Sequence, residues 1–227
     1  MEVTCAKSDI KERLYQQFAR IGKCLSSDKR LEIMDILSNG PKSVDSLATQ
    51  TGMSVSNVSR HLQILLEAKL VKFHKKGTFV IYNISDSSVT QFLSSLWNIC
   101  EDRLADIKLI KDELEEQYEG VRNISKNDLM LRMKQDNLVL IDLRPVEEYE
   151  TSHIPGAISV PLEQLEVFLQ TLNKDVELAA YCRGPFCSIA SQAVNYIQEQ
   201  GFRAYRIEEG VHEWNAYGSP VSAKATI

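Results

Sequence analysis

Apolar residues in the first third of the chain recur at helical spacing between short polar turns. One apolar helical face ends at the stop signal Asn39-Gly40-Pro41. A short helix is predicted over residues 43–50, followed by a glycine turn at residues 51–53. Ser54 is placed to cap a second helix over about residues 55–68. Helix, turn and helix in this order form the helix-turn-helix pattern. The face that ends at the stop signal consists of Leu31, Ile33, Met34, Ile36 and Leu37.

The second of these helices separates apolar from polar side chains. Its inward positions are predicted to be Val58, Leu62, Leu65 and Leu66. Small polar groups and one arginine near a helix N-terminus suit the major groove of double-stranded DNA, where they reach base edges and phosphates. The candidate DNA-binding residues, predicted to face solvent, are Ser54, Ser56, Asn57, Ser59, Arg60 and His61.

The next segment, residues 70–84, predicts a β-hairpin with a basic tip. Lys75 and Lys76 lie at that tip, where they can neutralise backbone phosphates. A solvated polar turn beside a structural helix pair is one alternative, and a protein-interaction module is another. The basic tip favours DNA over both.

A long helical pattern then runs from Ser88 to about Gln117. It carries more apolar surface than a small domain covers alone, so pairing with a second copy of the chain is predicted. The mixed segment at residues 115–123 is typical of a link into a second domain. The apolar positions of the pattern are Val89, Phe92, Leu93, Leu96, Trp97, Cys100, Leu104, Ile107, Ile110 and Leu114.

Two short motifs, residues 25–33 and residues 58–62, complete a family resemblance in this half. Residues 10–118 resemble the ArsR family of winged-helix repressors, which implies a homodimer through the first and last helices and a two-fold DNA operator. Many members of that family bind a metal through a Cys-x-Cys pair or through histidine and aspartate on the last helix. Residues 43–47 contain no cysteine and residues 86–118 no histidine, so no metal site is predicted.

Beyond a linker at residues 119–124, short apolar runs alternate with helical patterns. This alternation predicts a parallel sheet covered on both faces, with the functional loops at the carboxyl ends of the strands. The predicted fold is therefore a mostly helical α+β winged helix-turn-helix domain over residues 1–118, followed by an α/β domain over residues 125–222. The runs are residues 138–141, 176–181 and 204–207, and the helices lie at about residues 162–172 and 188–200.

The run at residues 176–181 stops at Cys182, and a Gly-Pro pair then turns the chain into the last helix. Loop N–H groups and a helix dipole aimed at one point hold an anion and lower the pKa of a thiol. Cys182 is therefore a candidate nucleophile, the alternative being a small buried residue at a strand end. The loop residues placed to cradle an anion are Gly184, Pro185, Phe186 and Ser188.

Two neighbours of Cys182 have competing interpretations. Arg183 either supplies charge for an anionic donor or is a solvated loop residue. Cys187 either attacks or receives sulfur held on Cys182, or simply packs in the first turn of the helix.

Three ordered motifs around this loop resemble the rhodanese family over about residues 125–222. They are residues 141–149 with 153–157, residues 208–214, and residues 218–220. The resemblance implies that the Cys182 thiolate takes the outer sulfur of thiosulfate, polysulfide or a low-molecular-weight persulfide, without a cofactor. Ser152 and Glu209 depart from the usual glycines and bear on substrate access.

The same motifs contain residues expected to support the loop rather than react. Asp142 and Arg144 are predicted to brace it, and His153 to form a structural hydrogen bond. Phosphatases that share this fold close a longer loop with an arginine six positions after the cysteine. Ser188 stands there, which disfavours phosphatase or arsenate reductase activity.

Charge separates the two parts of the chain. The 227 residues carry a formal net charge of −5, but residues 1–85 carry +5 and the remainder −10. The basic first part predicts that nucleic acid meets only this part of the protein.

Cysteine usage predicts a cytoplasmic protein with no membrane partner. The five cysteines are odd in number and widely scattered, unlike a secreted disulfide framework. No apolar run approaches membrane-spanning length, and the N-terminus lacks a signal-peptide hydrophobic region. Cys24 and Cys100 form a candidate redox sensor, because the first and last helices pack together in this fold type. The alternative is that both cysteines only pack on apolar helical faces.

Three hypotheses for the whole chain follow. The first is a transcriptional repressor that responds to reactive sulfur through its second domain. The second is primarily a sulfurtransferase whose winged helix serves dimerisation, and the third is an inert ligand sensor in which Cys182 is unreactive. The basic hairpin and the polar helix favour the first.

Overall fold

The computed structural model describes residues 3–118, 120–134, 138–185 and 187–216. The chain forms two compact units that divide between Thr90 and Gln91. Within the described residues, no helix combines the length and apolar character needed to cross a membrane.

The first unit combines four helices with a small antiparallel sheet. The helices are α1 (Val3–Leu25), α2 (Asp28–Ser38), α3 (Val44–Thr51) and α4 (Val55–Glu67), and the strands are β1 (Lys42–Ser43), β2 (Val71–Lys76) and β3 (Phe79–Ile84). The sheet order is β1-β3-β2, so β2 and β3 form the predicted hairpin. The predicted helix-turn-helix and hairpin are confirmed.

Serine caps explain where the helices of this unit begin. The side chains of Ser27, Ser43 and Ser54 each accept a hydrogen bond from the backbone N–H three residues further on. Gly52, at φ 66°, ends α3 in the left-handed conformation that glycine adopts without strain. The turn between α3 and α4 is therefore specified locally. The fully buried core beneath the two helices includes Ile33, Met34, Leu37, Leu47, Val58, Leu62 and Leu65.

The long helix predicted over residues 88–117 is wrong in one respect, because it is broken. Two helices occupy this stretch, α5 (Ser87–Arg103) and α6 (Ala105–Glu116). At the break, the N–H of Leu104 donates to the carbonyl of Cys100 at 2.8 Å. Apolar spacing reports which side of a helix is apolar, and it does not detect a single non-helical residue inside the pattern.

The second unit contains the five-stranded parallel sheet that the alternating pattern predicts. Its strands are β4 (Arg122–Asn123), β5 (Leu138–Asp142), β6 (Ile158–Ser159), β7 (Glu177–Tyr181) and β8 (Arg203–Arg206), in the order β4-β8-β7-β5-β6. Besides α6 and most of α5, its helices are α7 (Lys126–Met133), α8 (Val146–Thr151), α9 (Leu165–Gln170), α10 (Ser188–Glu199) and α11 (Val211–Ala216). A 3-10 turn at Leu162–Gln164 precedes α9. All four strand pairs are parallel.

Apolar residues cover both faces of this sheet. One cluster packs Leu165 of α9 and Val194 of α10 with strand residues such as Ile141. The other packs Leu129 of α7 and Trp214 of α11 with the opposite face. The central strand β7 is therefore enclosed, and the loop that follows it lies at the carboxyl edge where such sheets place their sites.

Candidate active site and nucleic-acid interface

The cysteine loop connects the end of β7 to the start of α10. Cys182 follows Tyr181 directly and is 3 % exposed. Cys187 occupies the N-cap position of α10, and its N–H donates to the carbonyl of Gly184 at 3.1 Å, which closes the loop. Gly184 has φ 141°, a conformation that requires glycine. Phe186 lies outside the described residues, so its predicted part in the loop stays a prediction.

The two cysteines of the loop form a close pair. Their Sγ atoms lie 3.1 Å apart and are hydrogen-bonded. Cys182 is buried beneath the loop, whereas Cys187 is half-buried. The pair is fully reduced, so this is a dithiol arranged within reach of a disulfide.

The two thiols differ in acidity. The pKa of Cys187 is lowered to about 6, chiefly because its hydrogen bond with Cys182 stabilises the thiolate. The backbone N–H groups of Ile189 and Arg183 lower it further. The pKa of Cys182 is raised, because its hydrogen bond with Cys187 and its burial favour the protonated thiol. At neutral pH the pair therefore shares one negative charge, held mainly on Cys187.

This acidity corrects the sequence prediction that the loop lowers the pKa of Cys182. Cys187 occupies the N-cap position of α10, where the helix dipole acts on it, whereas Cys182 precedes the turn and lies in the apolar core. The sequence places Cys187 at the start of the helix, but the spacing does not reveal that the two thiols are hydrogen-bonded and that this bond lowers the pKa of Cys187.

Arg183 takes part in a two-point ion pair. Its Nη2 lies 2.8 Å from Oε1 of Glu148 and its Nε 3.1 Å from Oε2. The Glu148 side chain is 1 % exposed, so this carboxylate compensates the guanidinium charge inside the protein. The alternative of a solvated loop arginine is wrong, and the role of Arg183 toward an anionic donor stays a prediction.

Asp142 and Arg144 form a fully buried ion pair, with 2.7 Å between Nη2 and Oδ2. The same Nη2 donates to the carbonyl of Ser152 at 2.7 Å. The hydroxyl of Tyr181, the last residue before Cys182, donates to Asp142 at 2.6 Å and accepts from the N–H of Ile154. This network ties the end of β7 to β5 and to the segment after α8.

His153 packs against a neighbouring aromatic ring. Its Nδ1 lies 2.8 Å from the carbonyl oxygen of Tyr149, and the two rings stack with centroids 3.9 Å apart. These contacts hold the segment between α8 and β6 in place.

Sequence reasoning missed two further side chains at the loop. Arg206, the last residue of β8, is buried and its Nη2 donates to the carbonyl of Pro185 at 2.9 Å. Glu213 accepts from the N–H of Gly210 at 2.9 Å, and burial raises the pKa of its carboxyl group. Glu213 lies in the closing motif at residues 208–214, which was therefore the available signal, whereas nothing in the local pattern singles out Arg206.

Gly210 explains why the closing motif contains a glycine. A Cβ at this position would lie 2.5 Å from the carbonyl oxygen of Arg183. The backbone of the closing motif therefore approaches the cysteine loop more closely than any other residue permits.

The candidate DNA-binding face of α4 is largely as predicted. Exposed side chains along it are Ser54, Ser56, Asn57, Ser59 and Arg60. Ser54 has two contacts, because its Oγ caps the helix and lies 3.1 Å from Oγ of Ser56. The face combines hydroxyl, amide and guanidinium groups within two helical turns.

His61 is the exception, and its predicted exposure is wrong. The ring is half-buried, and within the described part of the chain Nδ1 has no hydrogen-bond partner. Its pKa is lowered by burial and by the nearby charges of Arg30 and Arg60. His61 lies three residues after the buried Val58, at the edge of the apolar stripe, and this position turns it partly inward. Leu66, predicted to be buried, is likewise half-buried.

The hairpin presents its basic tip to solvent. Lys75 and Lys76 are exposed at the end of β2, and Gly77 turns the chain at φ 63°. Phe79, paired across the hairpin with Lys76, is also exposed. The tip therefore combines two positive charges with one aromatic ring.

Cys24 and Cys100 belong to different units. Cys24 is 5 % exposed, its thiol lies 3.8 Å from the carbonyl of Ile64 in α4, and burial raises its pKa. Cys100 is half-buried on α5. Their predicted pairing stays a prediction. Among the described residues, no cluster of three or more His, Cys, Asp or Glu is arranged to hold a metal ion.

Known families match both parts of the chain. The arsR family of bacterial regulatory proteins matches residues 27–72, and the rhodanese-like domain matches residues 125–217. The HTH-type transcriptional regulator Rv0324 of Mycobacterium tuberculosis is 34 % identical over 221 residues, which is 97 % of either chain.

Shorter relatives match one part each. A sulfurtransferase of Allochromatium vinosum is 28 % identical over 105 residues, covering 45 % of this chain and 96 % of its own length. Among solved structures, the homodimeric winged helix-turn-helix DNA-binding domain of a possible ArsR-family regulator from Mycobacterium bovis is 33 % identical. It covers 42 % of this chain and 89 % of its own, with a TM-score of 0.41.

Proposed function

Because the chain belongs to the ArsR family of bacterial regulatory proteins and is a transcriptional regulator with a rhodanese-like domain, we propose that it is a repressor responsive to reactive sulfur. Its first domain binds an operator in double-stranded DNA. Its second domain accepts a sulfane sulfur on Cys182, and that event changes DNA affinity.

The proposed DNA contacts lie on α4 and on the hairpin. Asn57 and Arg60 point from an exposed face into the major groove and read base edges, while Lys75 and Lys76 neutralise phosphates beside it. The remaining serines of that face, and His61 at its edge, contribute positioning contacts.

The proposed active form is a homodimer. Ile10, Leu14 and Phe18 on α1 are each more than half exposed, as are Ile99 and Leu109 on α5 and α6. So much apolar surface on helices is unfavourable in water, and a second copy of the chain covers it most simply. A two-fold dimer presents two copies of α4 to a pseudo-palindromic site. In this proposal residues 1–118 bind DNA and dimerise, residues 119–124 link, and residues 125–222 form the sulfur-accepting domain.

One observation carries the sulfur proposal, namely the pair of sulfur atoms 3.1 Å apart at the start of α10. Its environment supplies what persulfide formation needs. The Cys187 thiolate is placed to take the proton from Cys182, whose sulfur then attacks the outer sulfur of the donor. The donor leaves as its thiolate or sulfite, and loop N–H groups such as that of Arg183 stabilise the persulfide anion.

The test is a gel-shift assay on the promoter upstream of the protein's own gene, with and without polysulfide. We expect a retarded complex that polysulfide changes in the parent protein but not in Cys182→Ser. Thiosulfate and polysulfide turnover is measured in parallel, and Cys182→Ser should abolish it. Turnover without DNA binding supports instead a sulfurtransferase that uses its winged helix for dimerisation.

A further inference from the structure

We propose that Cys187 resolves the Cys182 persulfide, so that the loop reduces one sulfane sulfur to hydrosulfide and closes as a Cys182–Cys187 disulfide. This inference rests on the proposed persulfide at Cys182. It adds a persulfide-reducing activity to the domain, with a low-molecular-weight persulfide or polysulfide as the substrate class.

The distance between the sulfurs favours this reaction. A disulfide bond is about 2.05 Å long, and the two Sγ atoms are already 3.1 Å apart. Reacting atoms held at about 3–3.5 Å are close to an attack geometry. The hydrogen bond from the N–H of Cys187 to Gly184 holds the loop in this arrangement before any sulfur arrives.

Attack on the inner sulfur is favoured over attack on the outer one. The atom next to Cys187 is Sγ of Cys182, which becomes the inner sulfur of the persulfide. Attack there expels hydrosulfide, whereas attack on the outer sulfur must expel the Cys182 thiolate. Since a more basic thiolate leaves more slowly, the raised pKa of Cys182 disfavours transfer to Cys187.

Once Cys182 carries the sulfur, Cys187 is the loop thiol that remains to attack. Its lowered pKa, about 6, makes it mostly thiolate at neutral pH. It is half-buried rather than buried, so the released hydrosulfide has a route to solvent.

The two steps balance without an external oxidant. First, the donor's S–S bond breaks, the Cys182–sulfur bond forms, and the donor leaves as a thiolate. Second, the proton that Cys187 accepted from Cys182 passes to the outer sulfur, the Cys187–Cys182 bond forms, the persulfide S–S bond breaks, and its electron pair leaves with hydrosulfide. The sulfane sulfur is reduced by two electrons and the two cysteines are oxidised. Two equivalents of a low-molecular-weight thiol restore the dithiol by exchange and leave as their own disulfide.

The experiment uses the full-length protein freed of reductant. Glutathione persulfide is added in equimolar amount, released sulfide is trapped and quantified, and intact mass is recorded. We expect the parent to release nearly stoichiometric sulfide and to lose the mass of two hydrogens, with peptide mapping locating the bond between Cys182 and Cys187. Cys187→Ser and Cys187→Ala, which lack the thiolate that takes the proton from Cys182, should gain the mass of one sulfur on Cys182 more slowly than the parent reacts, and should release no sulfide. Cys100→Ser, which removes a thiol outside the loop, is the matched control and should behave like the parent.

The possible outcomes separate this inference from the proposed function. A parent protein that keeps the added sulfur and releases no sulfide overturns resolution by Cys187 but supports the persulfide at Cys182. A parent protein that neither releases sulfide nor gains sulfur, together with absence of added sulfur from both Cys187 variants and far-UV spectra like the parent, overturns the persulfide itself. Sulfide release that persists in both Cys187 variants assigns resolution to another thiol.

Discussion

The exposed face of α4 and the cysteine loop differ in where their polar groups find partners. Asn57 and Arg60 extend from α4 into solvent. Around the loop, Arg144, Arg183 and Arg206 each bond to a carboxylate or carbonyl of the same unit. A face of the first kind acquires its partners from a ligand, whereas a site of the second kind is organised before its ligand arrives. Substitutions on α4 should therefore weaken DNA binding, whereas substitutions near the loop should lower the free energy of unfolding.

The largest effect is expected at the buried ion pair of the second unit. Arg144→Met leaves the Asp142 carboxylate buried without its cation, which should reduce the free energy of unfolding by about 3–5 kcal/mol. Denaturant unfolding of the full chain measures this. Arg203→Met removes an exposed partner of Glu177 in the same unit and is the control, with a loss of at most about 1 kcal/mol. Equal losses would contradict the contrast between buried and exposed pairs.

This contrast also explains what the sequence could predict. Helix caps, glycine turns and apolar spacing are local, so the helix-turn-helix, the hairpin and the strand before Cys182 followed from the pattern. Strands of two residues, such as β4 and β6, are too short to show a period.

The side chains that contact the cysteine loop could not be predicted from the sequence for a different reason. Glu148, Arg206 and Glu213 reach the loop from three separate elements, and only the folded sheet brings them together. The predicted exposure of His61 was wrong for a related reason. His61 lies at the edge of an apolar stripe, where tertiary packing decides whether a side chain is exposed. The acidity of the two cysteines likewise depends on a distance across the loop.

The next effect concerns base recognition by α4. Replacing Asn57 or Arg60 with alanine should weaken binding to the operator by about 1–3 kcal/mol and leave binding to unrelated DNA nearly unchanged. Competition gel shifts with operator and scrambled duplexes measure the ratio. Gln63→Ala, an exposed residue of the same helix outside the proposed DNA contacts, is a control for general disturbance of the helix. An equal loss of affinity for both duplexes would show that Asn57 and Arg60 do not recognise bases.

The hairpin should behave differently from α4. Replacing Lys75 and Lys76 together should weaken binding to every sequence and flatten the salt dependence by about one unit of slope for each lost phosphate contact. Titrations at several salt concentrations measure the slope. Lys72, whose Nζ donates to the carbonyl of Ser85 at 2.6 Å, provides a control lysine on the same strand. An unchanged slope in the double variant would exclude the tip from the DNA interface.

A smaller but more diagnostic effect is expected in the pH dependence of the loop. Because the pKa of Cys187 is lowered to about 6, its alkylation rate should rise through pH 6 and level off above it. Cys182→Ala removes the hydrogen bond that stabilises this thiolate, so the midpoint should move upward. Because folding lowers the pKa of Cys187, its thiolate contributes stability that is fully present above the ordinary thiol value of 9.0 and is lost as the pH falls through about 6. Iodoacetamide labelling read by mass spectrometry gives the midpoint of the pH–rate curve. A midpoint unaffected by Cys182→Ala would show that Cys187 ionises independently of Cys182.

The smallest effect is expected at the two cysteines outside the loop. Cys24 is buried against α4 with a raised pKa, so it reacts slowly with sulfane sulfur, and Cys100 lies in the other unit. We therefore expect Cys24→Ser and Cys100→Ser to release DNA with polysulfide as the parent does, so that the response originates at Cys182 and Cys187. DNA affinity of each variant before and after polysulfide measures this, with Cys182→Ser as the unresponsive reference. If either variant instead loses the response while still forming the loop disulfide, a sulfur bridge between Cys24 and Cys100 becomes the switch and the loop only processes its signal.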